Sequence, residues 1–280
     1  MLHKGENRMK KNLILLFLIL TSLSLAGCNT KENIASTTEI SSQSETMTIQ
    51  EKGELTVAAA SDLTKAFTEL GTAFESTNNC KVTFSFGSTG MLAEQIINGA
   101  PFDVFAAANE SIITDLDEKD SILSDTIQLY ALGRIGLATL KDSNFEVRTM
   151  DDLKNPEFKV IAIANPDHAP YGLAAKQAIE TAELWDTLEP KMIFGKNISE
   201  TLSYLTTGNA DVAFIALSLN DEATLDFNLI DSDMHEPLRQ AMAVVKHTQN
   251  EVLARAFIEY VNGPEGKEIM QKYGFVTPGE

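Results

Sequence analysis

The sequence contains few of the residues that build disulfide frameworks and metal centres. Two cysteines, Cys28 and Cys80, and four histidines occur in 280 residues. Cysteines so few and so far apart exclude a disulfide-rich scaffold and a cysteine-based metal site. The histidines are scattered, which argues against a histidine-based metal cluster. We therefore expect no cofactor and no bound bare metal cation.

Positive charge is scarce as well. The chain has 22 basic and 40 acidic residues, a formal net charge of -18. The first 28 residues hold four of the basic residues against Glu6 alone, which leaves 18 basic and 39 acidic residues in the remainder. Phosphate backbones repel a body of this charge, so we expect no nucleic-acid partner.

No apolar run has the length of a membrane-spanning helix. The apolar centre of the first run covers residues 13–25, which is shorter than the roughly 20 residues that such a helix needs. Arg8, Lys10 and Lys11 precede it and small residues end it, a pattern typical of a secretory signal. The pattern leaves open whether Met1 or Met9 is the true start.

This run ends in Leu-Ala-Gly-Cys at residues 25–28, which resembles the lipobox of bacterial lipoproteins. The resemblance implies that residues 1–27 are a signal peptide and that Cys28 carries a lipid anchor on the extracytoplasmic face of the cell membrane. Residues 28–53, rich in Ser, Thr and Glu, predict a flexible tether. With Cys28 acylated, we expect Cys80 to be a small buried hydrophobe.

Strand patterns alternate with helix patterns beyond the tether. The apolar run 55–60 precedes a helical pattern of apolar residues from Leu63 to Phe74, for which Ser61 is the expected N-cap. The alternation predicts an α/β fold with mostly parallel sheets. Further strands are expected at residues 81–86, 101–106, 161–163 and 212–215.

The length of the chain and two extended stretches suggest a fold of more than one lobe. A length of 280 residues allows one large domain or two of ordinary size, and 44% hydrophobic residues are typical of globular proteins. The extended stretches 128–140 and 240–246 are candidates for crossings between two lobes. The C-terminus predicts two helices divided at Gly263-Pro264.

Four loop-to-helix junctions share one chemical property. The start of a helix leaves N–H groups without intrahelical partners and carries the positive end of the helix dipole. If the junctions converge, they form an anion site that needs no formal positive charge. Alternatively, each polar residue caps only its own helix. The junctions lie at Ser61, Ser88-Thr89, Pro170-Tyr171-Gly172 and Asn197-Ile198-Ser199.

Three stretches carry a family resemblance: Ala-Ala-Ala-Ser at 58–61, the stretch 86–105 beginning Phe-Gly-Ser-Thr-Gly, and Asn-Pro-Asp-His-Ala-Pro-Tyr-Gly at 165–172. In this order they resemble the substrate-binding proteins of molybdate ABC transporters, and the similarity covers about residues 54–277. It implies a two-lobed α/β fold of the type 2 periplasmic-binding-protein class, with the ligand cleft between the lobes. Lobe one would comprise 54–132 plus 238–280, and lobe two 133–237.

The resemblance also assigns ligand-binding residues to both lobes. Hydroxyl and main-chain N–H groups are expected from lobe one, and main-chain N–H groups alone from lobe two. Some family members place a tyrosine hydroxyl at the site from the strand where this chain has Ala216, and Tyr171 is a candidate to replace that donor. The implied residues are Ser61, Thr89 and, beside it, Ser88 in lobe one, and Tyr171 and Ile198 in lobe two.

The implied function is extracytoplasmic capture of molybdate or tungstate and delivery to an ABC permease by a monomer without enzymatic activity. Molybdate at pH 7 is an unprotonated dianion, so a site made only of donors satisfies it. Sulfate is equally unprotonated and only cavity size separates the two ions. Receptors for sulfate or a small organic acid, a secreted hydrolase and an adhesin-like lipoprotein remain alternatives. No P-loop and no G-x-S-x-G elbow occurs in the sequence.

Overall fold

The computed structural model describes residues 53–279. The predicted signal peptide, Cys28 and nearly all of the predicted tether lie outside this part of the chain. Within it, no helix is long and apolar enough to cross a membrane.

The described residues form ten strands and eight α-helices. The strands are β1 (Gly53–Ala60), β2 (Cys80–Gly87), β3 (Val104–Ala107), β4 (Gln128–Gly133), β5 (Ile135–Leu140), β6 (Ile161–Ala164), β7 (Met192–Gly195), β8 (Val212–Ala216), β9 (Leu225–Leu229) and β10 (Leu238–Val244). The helices are α1 (Thr64–Thr77), α2 (Thr89–Ile97), α3 (Glu110–Glu118), α4 (Pro170–Thr181), α5 (Trp185–Leu188), α6 (Ile198–Thr206), α7 (Glu251–Asn262) and α8 (Pro264–Lys272).

Two five-stranded sheets share one pattern of strand order. The first has the order β2-β1-β3-β10-β4 and the second the order β7-β6-β8-β5-β9. One strand in each sheet, β10 in the first and β5 in the second, runs antiparallel to both of its neighbours. The prediction of mostly parallel sheets is therefore confirmed, with one reversed strand in each.

The reversed strands belong to the two connections between the sheets. The chain leaves the first sheet at the end of β4 and enters the second as β5, with only Arg134 between them. It returns after β9 to become β10. The predicted crossing segments 128–140 and 240–246 thus coincide with strands that join the two sheets. The lobe boundaries 54–132 plus 238–280 and 133–237 remain a prediction.

Helix α1 shows how the apolar pattern produces packing. Leu63, Phe67, Leu70 and Phe74 are at most 1% exposed and belong to the main apolar core. Ser61, however, is not the N-cap of this helix. It opens a single 3₁₀ turn, Ser61–Leu63, makes no capping hydrogen bond with its side chain, and precedes an α-helix that starts at Thr64.

Other sequence predictions hold with shifted boundaries. The strand expected from residue 101 begins at Val104. The helix expected from Gly172 begins at Pro170, because proline fits the first helical position, where no intrahelical N–H bond is required. The two C-terminal helices are divided at Gly263-Pro264, as predicted. Cys80 is 1% exposed within the apolar core, again as predicted.

The site lies where strands end and helices begin. Ser61 follows β1 directly, and α2 follows β2 with Ser88 between them. In the second sheet, α4 follows β6 and α6 follows β7. Ligand sites in α/β sheets lie outside the carboxyl ends of the strands, and both sheets of this chain present helix starts at those ends.

Candidate functional site

All five residues that the resemblance assigns to ligand binding line one pocket. Ser61, Ser88 and Thr89 come from the side of the first sheet, and Tyr171 and Ile198 from the side of the second. The pocket is partly open to solvent. Asp62 and Asn197 also line the pocket, and the remaining lining residues are glycine, alanine and proline.

Ser61 presents a hydroxyl whose hydrogen is available. Its Oγ accepts a long hydrogen bond of 3.4 Å from the N–H of Ser199, and its carbonyl accepts a bond of 3.0 Å from the Ser199 hydroxyl. The hydroxyl hydrogen of Ser61 has no acceptor among residues 53–279. Ser61 is only 3% exposed, so an anion in the pocket would replace little water around it.

Thr89 offers a second such hydroxyl at the start of α2. Its Oγ1 accepts a hydrogen bond of 3.1 Å from the N–H of Ala108, which follows β3 and fixes the side chain. Within the described part of the chain, neither the hydroxyl hydrogen nor the main-chain N–H of Thr89 has a hydrogen-bond partner. Thr89 is 1% exposed and therefore holds two donors ready in a buried position.

Ser88 differs from its neighbour because its hydroxyl already has a partner. Its Oγ donates to the carbonyl of His168 at 2.6 Å and lies 2.8 Å from Nδ1 of the same residue. The N–H of Gly90 donates to that carbonyl at 2.9 Å. His168 thus joins the turn before α4 to the turn before α2.

The second sheet contributes main-chain donors. Tyr171 is the second residue of α4 and Ile198 the first residue of α6, where N–H groups have no intrahelical partner. No hydrogen bond between described residues engages either of these two N–H groups. Asn197 caps α6 by accepting a hydrogen bond of 2.9 Å from the N–H of Glu200. This cap does not occupy the N–H of Ile198.

The hydroxyl of Tyr171 takes part in a buried network. It accepts a hydrogen bond of 3.2 Å from Nε2 of Gln240 and also interacts with the carboxyl of Asp62. Its side chain therefore ties α4 to the first sheet, through β10 and the turn after β1. Ala216 is fully buried at the end of β8, and the idea that the Tyr171 hydroxyl replaces a family tyrosine as a ligand donor remains a prediction.

Asp62 is a functional candidate that the sequence reasoning missed. It is 1% exposed and lines the pocket, and its Oδ2 accepts a bond of 2.7 Å from Gln240. Burial raises the pKa of its carboxyl to about 6. A signal existed in its position directly after Ser61, but an acid there is also an ordinary feature of a helix start.

Within residues 53–279, no lysine or arginine lines the pocket. The described residues also contain no group of three or more His, Cys, Asp or Glu side chains that could hold a metal ion. Helix starts and hydroxyls supply the positive potential instead. Such a site can hold a small anion by hydrogen bonds.

The fold and the pocket are those of a two-lobed binding protein of the periplasmic type. The family model of bacterial extracellular solute-binding proteins matches residues 55–276, and the chain belongs to this family. It is a family of transport proteins that bind solutes.

Several relatives of known name are similar over most of their length. The chain is 33% identical to the molybdate-binding protein ModA of Rhodobacter capsulatus, over 80% of this chain and 89% of the relative. It is 29% identical to the putative ABC transporter substrate-binding lipoprotein YvgL of Bacillus subtilis, over 96% and 99%. The solved periplasmic molybdate-binding protein of Azotobacter vinelandii superposes with a TM-score of 0.76 at 28% identity, covering 80% of this chain and 99% of that one.

Proposed function

We propose that this protein captures molybdate outside the cytoplasmic membrane and delivers it to an ABC permease. One observation carries the proposal: the hydroxyls of Ser61 and Thr89, which have no acceptor among residues 53–279, line the same pocket as the N–H groups of Tyr171 and Ile198. Relatives named for molybdate binding, at 28–33% identity, support the choice of ion. The donors named here are the proposed ligand set, with Ser88 as an additional candidate.

The chemistry of the ion suits a pocket of donors. Each oxygen of an unprotonated dianion accepts hydrogen bonds, and the starts of α2, α4 and α6 add the positive ends of three helix dipoles. Five to seven charge-assisted hydrogen bonds at about 1.5–3 kcal/mol each account for a micromolar or tighter affinity, about 8 kcal/mol or more. Tungstate and sulfate share this chemistry and are the competitors to compare. No catalytic activity is proposed.

The protein is further proposed to be a monomer anchored to the membrane through a lipid on Cys28. The Leu-Ala-Gly-Cys sequence supports the anchor, as does a full-length similarity to a protein named as a lipoprotein. More than one acyl chain makes such an anchor stable. Cys28→Ala is expected to abolish labelling of the protein by an alkyne fatty acid in growing cells, and labelling equal to wild type would exclude the anchor.

Thermal unfolding with a panel of oxyanions tests the binding function. A ligand at 100 times its dissociation constant stabilises the folded state by about 2.7 kcal/mol, which raises the melting temperature by roughly 5–10 °C. We expect this shift for detergent-purified protein with molybdate; phosphate is the comparison, because its proton needs an acceptor and the Asp62 carboxyl lines the pocket. Unchanged melting with molybdate, tungstate, sulfate and phosphate alike would exclude an oxyanion receptor.

A further inference from the structure

We propose that Asp62 takes up a proton when the anion enters the pocket, so that the affinity for the anion is highest in mild acid and falls as the pH rises through neutrality. The inference rests on the proposed function because it concerns the same pocket. It concerns a side chain that is not one of the proposed ligand donors, and it predicts a measurable exchange of protons with the solvent.

The Asp62 carboxyl lies in the buried lining of the pocket. Asp62 is 1% exposed and follows Ser61, one of the proposed donors, in the lining of the pocket. Its Oδ2 accepts a hydrogen bond from Gln240, whereas its Oδ1 is buried and has no hydrogen-bond partner in the described part of the chain. One oxygen of the carboxyl is therefore held in place, and the other is free to carry a hydrogen.

The described groups that face the Asp62 carboxyl are not cationic. Tyr130 from β4, Tyr171 from α4 and Gln240 from β10 face the Asp62 carboxyl, and none is cationic. The hydroxyl of Ser218 donates to the Asp62 carbonyl at 2.7 Å and leaves the carboxyl untouched. Among the described residues, the groups that face this carboxylate are thus one amide and two hydroxyls, with no opposite charge.

The nearby bases are engaged elsewhere. Lys65, three residues along the chain from Asp62, donates to the carbonyls of Leu219 and Asn220 at 3.0 and 2.9 Å. His168 contacts Ser88 on the rim of the same pocket. Neither base forms an ion pair with Asp62, so a proton is the remaining way to neutralise the carboxyl.

The direction of the titration agrees with this geometry. Burial raises the pKa of Asp62 from 3.8 to about 6, and burial also raises the pKa of Tyr130 and of Tyr171, so that both tyrosines keep their hydrogens. A dianion in the pocket is a like charge and raises the pKa of Asp62 further. Near pH 7 the carboxyl is therefore mostly ionised before binding and protonated afterwards.

Proton uptake on binding makes the affinity for the anion depend on pH. Because the anion-bound state holds the extra proton more tightly, the affinity is highest below the pKa of the unbound protein, about 6, and decreases as the pH rises towards the pKa of the complex. The decrease approaches tenfold per pH unit in that interval, since one proton is exchanged. Molybdate is a dianion throughout, so its own titration does not contribute.

Tyr171 connects the proton on Asp62 to the proposed ligand donors. The hydroxyl of Tyr171 contacts both Gln240 and Asp62, and its main-chain N–H is a proposed ligand donor. One residue of α4 therefore contacts Asp62 through its side chain and is proposed to bind the anion through its main chain. Protonation of Asp62 removes a buried charge from the contact between α4 and the first sheet.

Calorimetric titration of detergent-purified full-length protein with molybdate, in two buffers of different ionisation enthalpy, tests the inference. At pH 7 the difference in heat should correspond to nearly one proton taken up per molybdate bound. Asp62→Asn keeps the shape of the side chain without its charge, and it should bind with little proton uptake and an affinity that is flat from pH 6 to pH 8. Tyr130→Phe removes a hydroxyl from the same network but keeps the carboxyl, so it should retain the uptake.

The outcomes separate this inference from the proposed function. Binding of molybdate by wild type with the same heat in both buffers would overturn the inference and leave the function standing. Uptake that persists in Asp62→Asn would also overturn it, because another group such as His168 would then be the acceptor. Absence of any binding means that the proposed function itself fails. Should Asp62→Asn not fold, the wild-type heats and the pH slope decide the question alone.

Discussion

The two sides of the pocket offer donors of different kinds. On the side of the first sheet, Ser61 and Thr89 present hydroxyl hydrogens that have no acceptor among the described residues. On the side of the second sheet, Tyr171 and Ile198 present main-chain N–H groups, while the side chain of Ile198 is buried and apolar. One side therefore depends on residue identity, and the other depends on backbone conformation.

This difference determines which substitutions each side tolerates. A hydroxyl donor disappears when serine or threonine is replaced by alanine, whereas any residue except proline supplies a main-chain N–H at a helix start. We infer that the first side is sensitive to ordinary substitutions and that the second is sensitive chiefly to proline. Three sets of variants test the comparison, in order of decreasing effect.

The largest effect is expected for Ser61→Asp. This change places a second carboxylate beside Asp62 and against a dianion, in a position where Ser61 is only 3% exposed. Because salt screens a buried charge poorly, molybdate binding should vanish at every ionic strength in a calorimetric titration. Binding within tenfold of wild type would mean that Ser61 lies outside the anion site.

Loss of a single donor should have an intermediate effect on either side. Ser61→Ala and Thr89→Ala each remove one charge-assisted bond, about 1.5–3 kcal/mol, or about 10- to 150-fold in affinity. Ile198→Pro should cost a similar amount, because proline removes the N–H while its ring fits the first position of α6. The extended backbone of Asn197 is also compatible with a following proline.

Ile198→Ala is the matched control for the second side. It removes the same apolar contacts as proline but keeps the N–H, so its affinity should stay close to that of wild type. Equal losses for the alanine and proline variants would show that Ile198 acts by packing. Losses for Ile198→Ala as large as those for Ser61→Ala would erase the difference between the two sides.

Among the variants expected to weaken binding, Ser88→Ala should have the smallest effect. Its hydroxyl bonds to His168, so the variant loses one neutral hydrogen bond between the two sides, about 0.5–1.5 kcal/mol, or about 2- to 12-fold in affinity. Titration of the variant with molybdate measures this loss. A loss above 100-fold would make Ser88 a direct ligand, comparable to Thr89.

Much of the fold could be predicted from the local pattern of the sequence. The apolar spacing from Leu63 to Phe74 gave the buried face of α1, because every third or fourth residue of a helix shares one face. The family resemblance, rather than a local pattern, assigned the junctions at Ser61, Thr89, Tyr171 and Ile198 to one site. All four line one pocket, since the carboxyl ends of strands in both sheets face it.

The contacts that sequence reasoning missed join residues far apart in the chain. Asp62 and Gln240 are separated by 178 positions, and Ser88 and His168 by 80. No local pattern indicates such a pair: the first contact forms only when the first sheet assembles, and the second only when the two sheets meet. The cap expected at Ser61 failed for a local reason: a 3₁₀ turn separates it from the start of α1 at Thr64.

The central claim is that one anion is held by donors from both sides of the pocket. Anomalous diffraction at the molybdenum absorption edge, from crystals grown with molybdate, tests it most directly. The account predicts a single strong peak in the pocket, with anion oxygens within hydrogen-bond distance of the Ser61 and Thr89 hydroxyls and of the N–H groups of Tyr171 and Ile198. A peak outside this pocket, or one reached by donors of a single side, would contradict the account.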